Sequence, residues 1–223
     1  MTWRCVIPSA STTNLYRSSW AAAKANGRHL SIVQVVDDGA VEGMVESAKR
    51  AYTSIKGEKP FIYARNVNLG VKATEPYDTV IMGDDVIVES FMCFDKMERI
   101  CHEHPDIACL SAGIIGESFR RSQRHDRQPA FHYEDSCLAF VCVYIPRWAW
   151  EKVGPLDERF TGYGWEDVDW CYRAREMGFK LAVQSDCVVR HDGSIPSTFR
   201  TKPEYEELKA YNRRLFVEKR GEP

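Results

Sequence analysis

Thr79-Val80-Ile81-Met82-Gly83-Asp84-Asp85 decides how this chain is read. Three of its first four residues are β-branched and none is charged, which suits a short strand covered on both faces. Gly83 ends the run, and two carboxylates follow directly at its carboxyl end. The same design stands earlier, where the apolar run 30–36 stops at Asp37-Asp38-Gly39. Side-by-side carboxylates repel unless a cation or hydrogen-bond donors hold them. Hard oxygen ligands of this kind suit Mg²⁺ or Mn²⁺. Each pair also reads as a solvated turn, and Gly39 supplies turn chemistry for that alternative.

Working outward, short strands at 4–7, 30–36, 61–64, 79–82 and 107–112 alternate with helical patterns. Residues 15–26 are helix-like up to Gly27. Val41, Val45, Ala48, Tyr52 and Ile55 recur at helical spacing, as do Phe91, Phe94, Met97, Ile100 and Cys101. Such β-then-α alternation predicts an α/β fold with a right-handed, mostly parallel central sheet flanked by helices. Sheets of this kind bind ligands at the carboxyl ends of their strands, where both acidic pairs lie. Beyond residue 112 the pattern changes. Residues 113–135 are polar, arginine-rich and aperiodic, which predicts a mobile loop or flap. A strand is expected at 138–145, a Gly/aromatic loop at 160–165, and a helix at 166–177 with Gly178 as its C-cap. One or two strands follow over 181–189, then a charged helix over 205–219 with Leu208, Tyr211, Leu215 and Phe216 on one face. No repeat or linker interrupts the chain, so a single domain is expected.

At 223 residues and 44% hydrophobic content, the chain can bury a core without staples, and disorder is excluded. The longest uncharged apolar run, 136–146, falls short of the ~20 residues of a bilayer span. Residues 1–10 read as a folded strand rather than a leader. A net charge of −2 does not announce a nucleic-acid binder, although Arg120, Arg121, Arg124 and Arg127 crowd around His125. Eight cysteines sit in apolar segments without any CxxC pair. They read as small hydrophobes rather than zinc ligands, and a reducing, cytoplasmic compartment is expected.

Glu166, Asp167 and Asp169 open a helix behind Gly162-Tyr163-Gly164-Trp165. A helix dipole favours acids in a first turn. Three of them behind such a loop suggest an acceptor shelf with a carboxylate base kept ionised beside it. His191 follows an apolar strand; it reads as an ordinary surface or core histidine or, with Asp85, as the completion of a metal site. There is no GxGxxG or GxxxxGK[ST], no HExxH, no GxSxG and no Cys/His pair with catalytic spacing. Chemistry therefore rests on carboxylates, metal and His191.

In this order the elements resemble the inverting GT-A glycosyltransferases of the family-2 type. The resemblance covers residues 4 to 195 and is carried by Val6-Ile7-Pro8-Ser9, Val35-Val36-Asp37-Asp38-Gly39, Asn66-Val67-Asn68-Leu69-Gly70 and Ile81-Met82-Gly83-Asp84-Asp85-Val86. Its most specific segments are Val153-Gly154-Pro155-Leu156-Asp157-Glu158-Arg159-Phe160, Gly164-Trp165-Glu166-Asp167-Val168-Asp169-Trp170-Cys171 and Arg190-His191-Asp192-Gly193-Ser194. It implies a nucleotide-sugar-binding half over 1–112, an acceptor and catalytic half over 113–195, and a C-terminal helix over 196–223.

The resemblance also implies roles. Pro8, Ser9 and Asn68 would belong to the donor site, with Asp38 on the nucleobase and Asp84 on the ribose. Asp85 would bind Mn²⁺ or Mg²⁺, and His191 would complete its shell. Asp167 would be the general base. Trp165, Glu166 and Asp169 would contact the acceptor, the two acids alternatively holding the loop. Gly83 departs from the pattern, standing where many relatives carry the first Asp of a DXD triplet. A Gln-x-x-Arg-Trp motif is missing: Arg147-Trp148 has Tyr144 in place of the Gln. Transfer of a single sugar is therefore expected, with a UDP-sugar favoured as donor.

The acceptor stays open among protein, glycan, small molecule and a modified DNA base. For DNA, the four arginines with Phe119, Phe131, His132 and Tyr133 would meet a phosphate backbone and stack on a base. Alternatively, those arginines answer the acidic site or the donor diphosphate. Two other functions compete. A sugar-1-phosphate nucleotidylyltransferase would want a Gly-rich loop after the first strand, but residues 8–26 hold no glycine. A non-catalytic nucleotide-sugar-binding module would not need Asp167.

Overall fold

The fold is built outward from β1 (Trp3–Ser9), whose side chains alternate strictly between two cores. Trp3, Cys5 and Ile7 enter one apolar cluster and Val6 the other. The same alternation holds in β2 (Val33–Asp37), β4 (Asp78–Met82) and β8 (Cys142–Ile145), so these strands are covered on both faces. That is why their sequences read as predominantly apolar runs rather than polar/apolar alternation. The computed structural model describes residues 2–42, 44–116, 120–197, 199 and 202–221.

The remaining strands are β3 (Thr53–Lys56), β5 (Ile87–Val88), β6 (Ile107–Gly116), β7 (Phe131–Glu134) and β9 (Lys180–His191). Among the described residues they form one sheet in the order β3-β2-β1-β4-β8-β6-β9-β5, with β7 on β9. Pairing is parallel through β3, β2, β1 and β4, and again between β6 and β9; β8 runs antiparallel between β4 and β6. Helices α1 (Thr12–Ala25) and α4 (Cys93–Glu103) cover one face. The other is covered by α3 (Tyr63–Ala73), α5 (Arg147–Val153) and α6 (Glu166–Glu176). The α/β class predicted from the alternation is the one observed.

Several local expectations are corrected. The helical spacing at 41–55 yields only the single turn α2 (Glu46–Lys49), none of whose residues is buried, and Ile55 lies on β3. Without a buried stripe a longer helix has little to hold it, and the chain pairs with the edge of β2 instead. Residues 61–64 are not a strand; Tyr63 and Ala64 open α3. That helix lies close against β1 because a Cβ at Gly70 would fall 2.3 Å from Val6.

Residues 113–135 are not one loose flap. β6 continues to Gly116, Arg121–Gln123 form a 3₁₀ turn and β7 is pinned to β9. Residues 117–119, including Phe119, lie outside the described residues. The strand expected at 138–145 is shortened to β8, because the buried Gln123 amide takes the place of a strand partner for Ala139. On the C-terminal helix α7 (Tyr205–Arg220), Asn212 and Phe216 are buried while Tyr211 faces solvent. All eight cysteines are buried free thiols. Among the described residues no helix is long and apolar enough to cross a membrane.

Candidate functional site

Parallel register brings the acidic turns together. Ser9 pairs with Asp37 across β1 and β2, and Val6 with Ile81 across β1 and β4. Pro8-Ser9, Asp38 and Gly83-Asp84-Asp85 consequently line one cleft, joined by His191 from the end of β9. Asp37 turns away and fulfils the turn reading, its carboxylate accepting from the backbone N–H groups of Gly39 (3.0 Å) and Val41 (2.9 Å). Asp38 faces the cleft and is ion-paired with Lys59. Asp84 is buried and accepts the Ser9 hydroxyl at 2.6 Å. Burial pushes its carboxyl up to about 6 against that hydrogen bond, and the Asp85 charge adds to the rise.

Asp85 and His191 are the pair that could hold a cation. The Asp85 carboxylate lies 3.4 Å from His191 Nε2. Adjacent ligands around an octahedral ion at 2.0–2.1 Å stand about 3 Å apart, so both fit one cation. Gly83 is part of this fit: a Cβ there would fall 2.7 Å from Asp85 Oδ1. The missing first Asp of the triplet thus leaves room for the carboxylate that follows. Among the described residues no third His, Cys, Asp or Glu converges with them, so further ligands would come from a diphosphate and water.

A second cleft adjoins the first, and Val141 and Tyr163 line both. Its wall includes Arg120, Leu138, Trp165, Asp167, Tyr205 and Lys209. Asp167 accepts from the backbone N–H groups of Val168 (2.8 Å) and Phe140 (3.3 Å). Burial nevertheless raises its carboxyl above the ordinary range, outweighing those bonds and the Arg120 charge. Trp165 caps α6 at φ 78°, an uncommon conformation for a bulky residue, and packs against Phe216 with ring centroids 5.1 Å apart and planes tilted by 40°.

Three sequence-derived candidates are placed elsewhere. Asn68 is occupied in packing, bonding Leu156 through both amide ends (2.9 Å each) and reaching Glu158. Glu166 is 1% exposed and lines neither cleft; burial and the Asp167 charge hold its carboxyl well above the ordinary range. Asp169, fully buried, is gripped by Arg173, Lys219 and Arg220, which is the loop-holding alternative. Conversely, Phe61, Tyr63, Phe199 and Lys202 line the first cleft without having been singled out. The clustering of aromatics at 61–63 was the available signal.

No family model matches the chain. An uncharacterized protein of Sinorhizobium fredii, y4gI, is 23% identical over 175 residues, which is 65% of this chain and 19% of that protein. Among solved structures, GalNAc-T7 with UDP, GalNAc and Mn²⁺ aligns with a TM-score of 0.69 at 12% identity, over 100% of this chain and 52% of that one. Staphylococcus aureus TarS gives 0.64 at 12% identity, over 99% and 74%. The mannosyltransferase of Pyrobaculum calidifontis with GDP-Man and Mn²⁺ gives 0.67 at 12% identity, over 89% and 59%. This chain thus spans about a fifth of the curated relative and about half of the first of these structures. Its α/β sheet, helices and strand-end clefts together have the GT-A glycosyltransferase fold.

Proposed function

We propose that this protein is a metal-dependent, inverting, non-processive glycosyltransferase, moving one sugar from a nucleoside-diphospho-sugar, with UDP favoured, to an acceptor hydroxyl. One observation carries this reading: the cleft holding Asp84, Asp85 and His191 shares Val141 and Tyr163 as a common wall with the cleft holding Asp167. UDP with Mn²⁺ in GalNAc-T7, and GDP-Man with Mn²⁺ in the archaeal mannosyltransferase, support a nucleotide donor and a divalent cation. Strands from both halves share one sheet, which supports a single catalytic unit. Eight free thiols support a reducing, cytoplasmic setting.

Asp85 and His191 would hold Mn²⁺ or Mg²⁺, which as a Lewis acid would neutralise charge on the departing diphosphate. Asp84, fixed by Ser9, would accept from the ribose hydroxyls, and Asp38 would meet the nucleobase above Pro8. Asp167 takes the acceptor proton while the acceptor oxygen bonds to the anomeric carbon. The bond from that carbon to the diphosphate oxygen breaks, and its electron pair leaves with the nucleoside diphosphate. Among the described residues Asp167 is the sole carboxylate lining the second cleft, which supports one displacement with inversion over a two-step route.

Incubation with UDP-sugars and Mn²⁺, read as free UDP, tests this. UDP release should require the cation and vanish in Asp85→Ala while the fold remains intact. Undiminished release in EDTA or in that variant would overturn the metal assignment. Pyrophosphate and sugar nucleotide as products would point to a nucleotidylyltransferase, and donor binding without turnover to a binding module.

A further inference from the structure

We propose that the acceptor is a sugar bearing an anionic substituent, a carboxylate or a phosphate, read by Arg120 and Lys209; this rests on the glycosyltransferase reading above. The two adjoining clefts carry opposite charge. Asp38, Asp84 and Asp85 face the first, with Lys202 as its lysine. Among the described residues the second is lined by two cations, Arg120 and Lys209, and one carboxylate, Asp167. Charge complementarity of this kind selects partners and suppresses wrong ones. Tyr163, Trp165 and Tyr205 add amphipathic ring faces and Leu138 an apolar wall, a lining that suits the C–H face of a pyranose.

Lys209 is available for such a ligand. Its ion pair with Glu206 spans 3.7 Å, and the Glu206 side chain is 77% exposed. Pairs of this kind contribute little and yield readily. The position of Lys209 is nevertheless built. α7 is tied down by the three hydrogen bonds of buried Asn212 to Thr161 and Gly164, by Phe216 against Trp165, and by Arg220 on Asp169. Arg120 reaches the same cleft from the opposite side in sequence, and its charge also acts on Asp167 and Glu134. An extended nucleic-acid track is disfavoured. Of the four clustered arginines only Arg120 lines the cleft, and Arg124 is paired with Asp126 at 2.8 Å.

The test is a ligand-observed NMR titration of the protein with UDP and diamagnetic Mg²⁺ present. The probes are methyl β-glucuronide, glucose 6-phosphate and neutral methyl β-glucoside, and UDP binding is titrated in parallel. At least one anionic probe should bind about tenfold tighter than the glucoside, as one charge-assisted hydrogen bond would give, and the two anions separate carboxylate from phosphate. Lys209→Gln should sharply weaken that preference without altering UDP affinity, and Lys209→Arg should restore it. Equal affinities, or a preference unchanged in Lys209→Gln, would overturn the proposal. UDP binding with no sugar bound overturns it while leaving the donor site standing; failure of UDP itself brings down the glycosyltransferase reading as well. A single-stranded oligonucleotide that binds more tightly than any sugar would overturn it in favour of nucleic acid.

Discussion

Replacing Asn212 with leucine should loosen the acceptor side of the molecule while leaving the sheet intact. The Asn212 side chain is fully buried. It accepts from the Thr161 N–H at 3.0 Å and donates to the carbonyls of Thr161 at 2.8 Å and Gly164 at 2.9 Å. Leucine keeps the same branched skeleton with somewhat greater bulk, so no cavity opens for a replacing water. Each buried polar group left unpaired costs about 1–3 kcal/mol. The loop at 161–164 is partly open to solvent, so the low end applies and the three together cost about 3 kcal/mol. For a chain of this size, ~2–4 °C per kcal/mol translates that into a fall in Tm of about 6–12 °C.

The same bonds bear on the site. Tyr163 lines both clefts, and Trp165 is held at φ 78°, a conformation that costs about 1–3 kcal/mol and persists only when its surroundings impose it. Urea and thermal melts give the stability change, and hydrogen exchange over 161–165 gives the local one. Transfer to an acceptor should fall more than acceptor-free hydrolysis of the donor. A loss below about 0.5 kcal/mol, within the range of an ordinary surface substitution, with exchange unchanged, would show that the loop is held by something else.

Asp167→Asn should keep donor binding and lower transfer on the order of 10²–10⁴-fold, the usual effect of losing a general base; a drop in donor affinity alone would recast the residue. Because burial raises the Asp167 carboxyl, the acid limb of the pH–rate profile should lie above the ordinary Asp range, and a limb at or below that range would refute the base assignment. Asp157 is held low by Arg159 and Lys219, and Asp169, against its burial, by Lys219 and Arg220. Depressed carboxyls stabilise the fold above their unfolded value of about 3.9 and lose that effect as pH falls through their folded values. Denaturant melts from pH 6 downward should therefore lose stability below about pH 4, and a flat profile there would contradict the ion pairs. Thiol titration of denatured, unreduced protein should find eight free cysteines; a count near zero would refute the reducing compartment.

The donor side was legible because its parts are local. A strand covered on both faces has to read as a predominantly apolar run, and parallel neighbours end on the same side. Asp38, Asp84 and Asp85 could therefore be placed together before any contact was known. The helix α3 was missed although Tyr63, Ala64, Val67 and Val71 carry its spacing, because Phe61 and Ile62 start the pattern with a β-like run. Gln123 could not be anticipated at all: an amide standing in for a strand partner at Ala139 depends on a fold that returns 16 residues later.

The acceptor side shows the limit most sharply. Glu166, Asp167 and Asp169 look equivalent as three acids in one first turn. At 3.6 residues per turn, however, each step rotates about 100°, so Asp167 and Asp169 point about 200° apart and cannot share one ligand. Periodicity alone thus divides the triad but does not say which acid faces the cleft. That choice is made by α7, some fifty residues on. Lys219 and Arg220 claim Asp169, Phe216 supports Trp165, and Asp167 is the one left beside the cleft. The residue proposed to take the acceptor proton is therefore selected by cations that lie outside the segments carrying the family resemblance. Lys219→Gln combined with Arg220→Gln should disturb that selection, leaving Asp169 with Arg173 alone and raising its carboxyl in an NMR pH titration, whereas Arg124→Gln, which removes only an exposed pair, should leave it unchanged.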